Sequence, residues 1–381
     1  CSFIFSFLFF FLRRRRPPRS TQSRSSAASD VYKRQDEWWG KGFTEWTNTG
    51  KAKPLFPGHY QPHVPSDLGY YDLRVPETRI AQAEMAKEYG IEGFCYYHYW
   101  FAGKRLIERP FDEVLSSGVP DFPFCLCWAN QSWTGIWHGS PDRVLIEQTY
   151  PGPEDDKNHF RFLLRAFKDK RYMRVDGKPI FLVYSPRELP DPKRTTDTWR
   201  QMARQDGIED LYLIGIEYSD WRPEDFGFDG QVIIRRFLSL AALTELKGTR
   251  RIRRYVRKIL KWPQEIYDYG KIHRYLLMPG AEEEHIHPCV VPNWDNTPRS
   301  GKRGVVLHKS TPELFREHLR AAIKQVSNKR YDNRLIFIKS WNEWAEGNHL
   351  EPDLKFERKY LEVFKEEIEN RNAEKQMKGN K

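Results

Sequence analysis

Hydrophobic positions along this chain fall into two alternating patterns. Short apolar runs of four to eight residues occur at 93–100, 124–130, 179–184, 211–216, 230–234, 289–296 and 335–338. Continuous runs of this length are what strands buried on both faces require. Between them lie stretches of helical spacing. The first, 79–89, places Ile80, Ala83, Met85, Ala86 and Tyr89 on one side and ends at Gly90, a C-cap residue. Others lie at 111–117, 157–169, 195–205, 312–327 and 354–371. Strands alternating with helices predict βα units and a parallel sheet. Nearly every strand ends in polar and aromatic residues, and these converge only if the sheet closes. The predicted fold class is therefore α/β, a (β/α)8 barrel of the TIM type. Seven strands are visible. The eighth, first in chain order, belongs just before Asp36 and is missing there, which would leave two open sheet edges.

What stands before Asp36 is a different kind of sequence. Residues 1–12 are rich in Phe, 13–19 in Arg, and a Ser-rich run extends to Gln35. A secretory signal places its charges ahead of the apolar stretch, the reverse of this order. The apolar run, at roughly 12 residues, is too short to span a bilayer. The tract from Arg15 to Gln35 resembles translated sequencing-adapter read-through, so residues 1–35 are expected to be a non-native, disordered tail. A membrane anchor or a basic binding arm are the competing readings. The body is then a single domain over 36–371, with a charged tail at 372–381. The first barrel strand is inferred to have been lost from the chain.

This division changes the charge picture. The chain carries +11, but residues 1–35 hold eight Lys/Arg and one Asp, a surplus of +7 that leaves +4 for the body. That gives little reason to expect a nucleic-acid partner. A second basic stretch, 250–261, has apolar residues at helical spacing. It reads as an insertion helix with a solvated Arg face, or as a peripheral membrane contact or polyanion site. No transmembrane segment is expected. Cys95, Cys125, Cys127 and Cys289 show no metal-ligand spacing and read as buried reduced thiols. No cofactor or metal is expected.

The candidate chemistry lies after the last apolar run. Residues 335–338 lead directly into Trp341, Asn342, Glu343, Trp344, Ala345, Glu346 and Gly347, then Glu351 and Asp353. A buried strand that ends in acids and tryptophans is how a parallel barrel presents its chemistry. If 342–347 form a helical turn, Glu343 and Glu346 share one face. Two such carboxyls are what glycoside cleavage needs, one as acid and one as base or nucleophile. Trp341 and Trp344 would offer flat faces to sugar rings. The loop over 36–69, rich in Gly, Pro and aromatics, adds Trp39, Phe43, Glu45, Trp46, His59 and Tyr60 as cleft candidates. Other strand ends add Tyr97, His98, Trp128, Asn130, Trp133, Asn293, Trp294 and Asn342 as candidate substrate contacts.

Four motifs agree in order: Trp38 to Trp46, the Tyr-Tyr-His-Tyr-Trp strand end at 96–100, Cys127 to Asn130, and Trp341 to Gly347 with 350–353. Together they resemble the WbsX family, glycoside hydrolase family 99-like proteins often labelled lipopolysaccharide or O-antigen biosynthesis proteins. The resemblance spans roughly residues 36–365, and the family's first strand, normally just ahead of the Trp-Trp-Gly motif, is not there. It implies a (β/α)8 barrel and, from the endo-α-mannosidase relatives, a role for each glutamate. Glu343 would be the base that withdraws the proton of a sugar 2-hydroxyl, so that a 1,2-anhydro sugar forms. Glu346 would be the acid at the leaving oxygen, then the base for water, which requires a raised pKa. That route uses no metal. The alternative is a glycosyltransferase of surface-polysaccharide assembly, though no Asp-x-Asp after an apolar strand and no glycine-rich phosphate loop appear. A third reading is a carbohydrate-binding protein without catalysis, which has no need of two close carboxylates. An oligo- or polysaccharide is the expected partner. The few cysteines and the biosynthesis label favour the cytoplasm, with the periplasm or secretion left open.

Overall fold

The computed structural model describes residues 6–10, 42–135, 140–217, 221–234, 249–277 and 280–379. Seven parallel strands curl around one core: β2 (Gly93–His98), β3 (Phe124–Trp128), β4 (Lys178–Val183), β5 (Tyr212–Glu217), β6 (Gly230–Ile233), β7 (Ile286–Val290) and β8 (Ile336–Lys339). Six of them coincide with the apolar runs; β7 starts three residues earlier than the run at 289–296 and shares only Cys289 and Val290 with it, the chain leaving the sheet before Pro292, which has no N–H to donate. Neighbours pair in chain order from β2 to β8.

The place of the eighth strand lies between β2 and β8. It is taken by β1 (Ser6–Phe10), part of the tract expected to stand outside the fold. β1 runs antiparallel to both neighbours, with Phe9 opposite Phe337 on one side and Gly93 on the other. This differs from the expected disordered tail. The physical reason is that two strand edges with unpaired backbone groups accept any short β-forming apolar run, and the antiparallel direction satisfies those groups as well as the parallel one. The ring of strands is thereby closed.

Helices cover the outside: α1 (Glu45–Lys51) on the loop before the barrel, then α2 (Pro76–Glu88), α3 (Arg109–Ser117), α4 (Pro153–Phe167), α5 (Pro192–Gln205), α6 (Thr249–Ile259), α7 (Tyr269–Leu276), the single turn α8 (Thr297–Ser300), α9 (Pro312–Val326) and α10 (Lys359–Gly379). α4 packs on α5 and α9 on α10. Strand residues alternate between the barrel interior and this outer layer. On β3, Cys125 and Cys127 approach Cys95 of β2 inside, whereas Phe124 meets Phe111 and Tyr172 in the outer layer. Among the described residues the four cysteines, Cys95, Cys125, Cys127 and Cys289, are buried and free.

Candidate active site

β8 delivers the carboxylate motif at its C-terminal end. Asn342 and Glu343 bridge back to Asn348 and His349, and Trp344–Glu346 form a 3-10 turn closed by Gly347. The turn is tighter than an α-helix but brings the two glutamates together as expected. Gly347 has φ +50, and a Cβ there would stand 2.9 Å from the Asp295 carbonyl oxygen. The amide of Asp295 donates to the Glu346 carbonyl at 2.7 Å, so the turn lies directly on the strand end after β7. Only glycine fits both the left-handed backbone and the close approach.

One arginine gathers the acids. Arg299 Nη1 donates to Glu346 Oε1 at 2.9 Å, and its Nη2 donates to Glu343 Oε1 at 2.6 Å and to Glu45 Oε1 at 2.8 Å. The Arg299 side chain is 1 % exposed. α8 holds it in place because Asp295 Oδ1 accepts from both Thr297 N and Thr297 Oγ1, capping that turn. Glu45, the first residue of α1, also accepts from Ala345 N at 2.9 Å and so ties the N-terminal loop onto the motif.

Two buried carboxylates, Glu343 and Glu346, and the largely covered Glu45 share one positive charge. Burial raises the pKa of Glu343 well above the usual carboxylate range, and the charges of Glu45 and Glu346 add to this against the pull of Arg299. Burial likewise raises Glu45, against Arg299 and the Ala345 amide. Burial works against the charge of Arg299 itself, but the three carboxylates more than offset it and its pKa rises. The raised proton affinity thus falls on Glu343 and Glu45.

Glu351 supports the motif from behind. It accepts from Trp344 Nε1, Tyr71 Oη and Gln82 Nε2, at 2.7, 2.7 and 2.6 Å. Burial lifts its pKa to about 7, against those three donors. The folded pKa lies above the unfolded one, so its contribution to stability is complete below about pH 4.5 and is lost as pH rises through 7. The stability of the chain minus that of its Glu351→Gln form is expected to fall by on the order of 3 kcal/mol between pH 4.5 and 8. Denaturant melts of both across that range check this, and a pH-independent difference would contradict it.

A cleft opens at Gly347, the residue that follows Glu346, enclosing ≈ 510 Å³ of space partly open to solvent; Glu45, Glu343 and Glu346 are not among the residues that line it. His59, Tyr60, Asn293, Trp294, Asp353 and Phe356 are among the residues lining it, with Gly347 and Asp295, which meets the turn through the Glu346 carbonyl. His59 Nδ1 accepts from Leu55 N, and its Nε2 donates to Asp295 Oδ2 at 2.6 Å. Burial opposes the charge of Asp295, yet His59, Thr297 and Gln61 lower its pKa below the ordinary value. Asn293 exchanges two hydrogen bonds with the His349 backbone. Lys339 Nζ lies 4.7 Å over the Trp294 ring.

The remaining sequence candidates divide. Asn342 Nδ2 donates to Tyr71 Oη at 3.0 Å, and its buried Oδ1 has no partner. Trp46 donates to the Tyr71 carbonyl and tilts against Trp344 at 5.5 Å. Tyr97 is half-buried against Tyr99 and Tyr184, close enough to feel the charge of Glu343. Trp133 stands edge-on to Tyr99 at 5.0 Å. Trp344 is 1 % exposed and stacks on His349 at 3.9 Å, and Trp341 is equally buried, so neither presents an open face. His98 and Trp128 point into the helical layer, where both meet His159 of α4. Asn130 is fully buried and clamps β3 to the end of β4, accepting from Ser185 N and donating to Ser185 O and Tyr150 Oη. Trp39 lies outside the described residues.

Among the described residues, His63, His349 and Asp353 are gathered with ligand atoms within 4.8 Å of one another. His349 Nδ1 donates to the Glu351 carbonyl, so its Nε2 accepts from His63 Nδ1 at 2.8 Å. Burial, then the neighbouring His349, lowers the His63 pKa to about 4. An ion at about 2.0–2.1 Å from each nitrogen would need the rings further apart than this hydrogen bond. His63 and Asp353 line the cleft, with His349 hydrogen-bonded to His63 behind them and 3.9 Å from Asp353.

Comparison with known proteins gives the following. WxcX, an uncharacterised protein of Xanthomonas campestris pv. campestris, is 38% identical over 338 residues in strain B100 and equally so in a second strain. The alignment covers 87% of this chain and 47% of WxcX, so the chain spans about half the length of these relatives. A solved glycoside hydrolase-like protein shares the fold, with a TM-score of 0.55 at 15% identity over 86% of this chain and 99% of that one. A GH99 endo-α-mannosidase from Bacteroides thetaiotaomicron matches at TM-score 0.49 and 15% identity, over 84% of this chain and 91% of that one. The model of the family described as Glycosyltransferase WbsX matches residues 31–364. The chain therefore belongs to the WbsX glycosyltransferase family.

Proposed function

We propose that the chain is a retaining glycoside hydrolase that cuts within an α-linked, mannose-containing polysaccharide. The observation that carries this reading is the pairing of Glu343 and Glu346 on one buried guanidinium at the strand-end face, on a turn whose Gly347 lines a cleft with aromatic walls. Glu343, whose proton affinity is raised, is the base that takes the proton of the sugar 2-hydroxyl. The freed oxygen attacks the anomeric carbon and a 1,2-anhydro sugar forms as the glycosidic bond breaks. Glu346 gives its proton to the departing oxygen. It then takes one from water, which opens the anhydro ring while Glu343 returns its proton to O2. Two inversions leave the configuration retained. Trp294, Tyr60 and Phe356 are the aromatic surfaces for sugar rings, and the unpartnered Asn342 Oδ1 is an acceptor for a sugar hydroxyl.

The family description favours a second reading, transfer from an activated sugar to a growing surface polysaccharide. Incubation with α-mannan alone, and separately with nucleotide sugars plus an acceptor glycan, distinguishes the two. The hydrolase reading expects new reducing ends without any nucleotide sugar. Product formed only when a nucleotide sugar is consumed would overturn it.

A further inference from the structure

Surface helices turn their apolar stripe toward the protein; α6 (Thr249–Ile259) does the opposite. Ile252, Tyr255, Val256, Ile259 and Leu260 follow the i, i+3, i+4, i+7, i+8 spacing of one face, and they are 66, 67, 44, 61 and 48 % exposed. The helix is tied to the body by its polar side. Arg257 donates to the carbonyls of Gln264 and Ile266, and Trp262, just beyond the helix, packs near Phe56. An isolated helix of 11 residues is marginal in water, so an uncovered apolar stripe calls for a surface to receive it.

We propose that α6 docks the protein on an anionic lipid surface, its apolar stripe entering the headgroup boundary. The charge selects the partner. Residues 249–261 hold seven Arg/Lys and no acid. A second copy of the chain would bring two such clusters face to face, at a cost in repulsion. A nucleic acid would use the basic side and leave the apolar stripe in water. An anionic bilayer uses both at once: the stripe buries about 5–10 Å deep while Arg253 and Lys258, at its two edges, meet the headgroups. Among the described residues no helix is long and apolar enough to cross a membrane, so the contact is peripheral. The site is separate from the glutamates and independent of their assigned chemistry.

Co-sedimentation with vesicles tests this. The chain is mixed with phosphatidylcholine vesicles, and with vesicles containing about one third phosphatidylglycerol, alongside an Ile252→Ser/Tyr255→Ser/Ile259→Ser variant and an Arg253→Glu/Lys258→Glu variant. These side chains are exposed, and far-UV circular dichroism and Tm confirm that each variant keeps the parent fold. The parent is expected to bind the anionic vesicles at least about tenfold more strongly than the neutral ones, and each variant to lose about tenfold or more. No parent binding to anionic vesicles at low salt would overturn the proposal. So would a serine variant that binds as well as the parent, since charge alone would then account for binding. A parent dimer that the serine variant converts to monomer would overturn it in favour of a second copy.

Discussion

Replacing Arg299 with methionine destabilises the fold by roughly 3–5 kcal/mol, the cost of leaving buried charge without its partner. Three carboxylates, Glu343, Glu346 and Glu45, donate nothing and accept from this one guanidinium. Without it, each would have to be protonated or hydrated within a packed turn. The loss is not additive. Removing Glu343 and Glu45 as well, as glutamines, should recover part of the stability, because fewer charges then lack a counterion. Arg299→Lys keeps the charge but not the planar fork, so it should fall between parent and methionine. Urea unfolding of the four proteins measures the series. A methionine variant within about 1 kcal/mol of the parent would mean that the carboxylates are not held by this arginine.

Glu343→Gln and Glu346→Gln act in the other direction on stability and more strongly on rate. Each glutamine keeps an oxygen that can accept from Arg299, so the fold is retained. Glu343→Gln also removes the group whose ionised form burial disfavours most, and it should match or exceed the parent in Tm. Turnover should fall about 10²–10⁴-fold in each variant, as for loss of a general acid or base. This combination, intact fold with lost rate, separates a chemical role from a structural one. Loss of Tm together with activity would instead make the pair part of the scaffold. By contrast, Asn130→Ala should lower stability, because that side chain joins two strands.

The barrel was legible in the sequence because strands buried on both faces are mostly apolar, and the seven parallel strands carry few polar residues, such as Gln231 and His287, within them. Glu343 and Glu346 were legible because they follow such a strand at once. Arg299 was not: it sits in Thr-Pro-Arg-Ser-Gly-Lys-Arg, where nothing distinguishes it from its solvated neighbours. Its position shortly after the Asn-Trp-Asp strand end is the single hint. The outward direction of His98 and Trp128 was readable from parity, since each lies an odd number of residues from an inward cysteine. The His63–His349 contact joins segments 286 residues apart, and no local pattern announces it. The strand at Ser6–Phe10 was missed because its composition marks it as foreign to the body, while a sheet edge selects only for backbone groups.

The most direct test of the proposed chemistry is the configuration of the first product. The chain is added to an α-linked mannan fragment, and the anomeric protons are followed by NMR before mutarotation. The account predicts that the α-anomer appears first and that neither glutamine variant releases it. First appearance of the β-anomer would contradict the two-step route through a 1,2-anhydro sugar, because a single displacement by water inverts the centre.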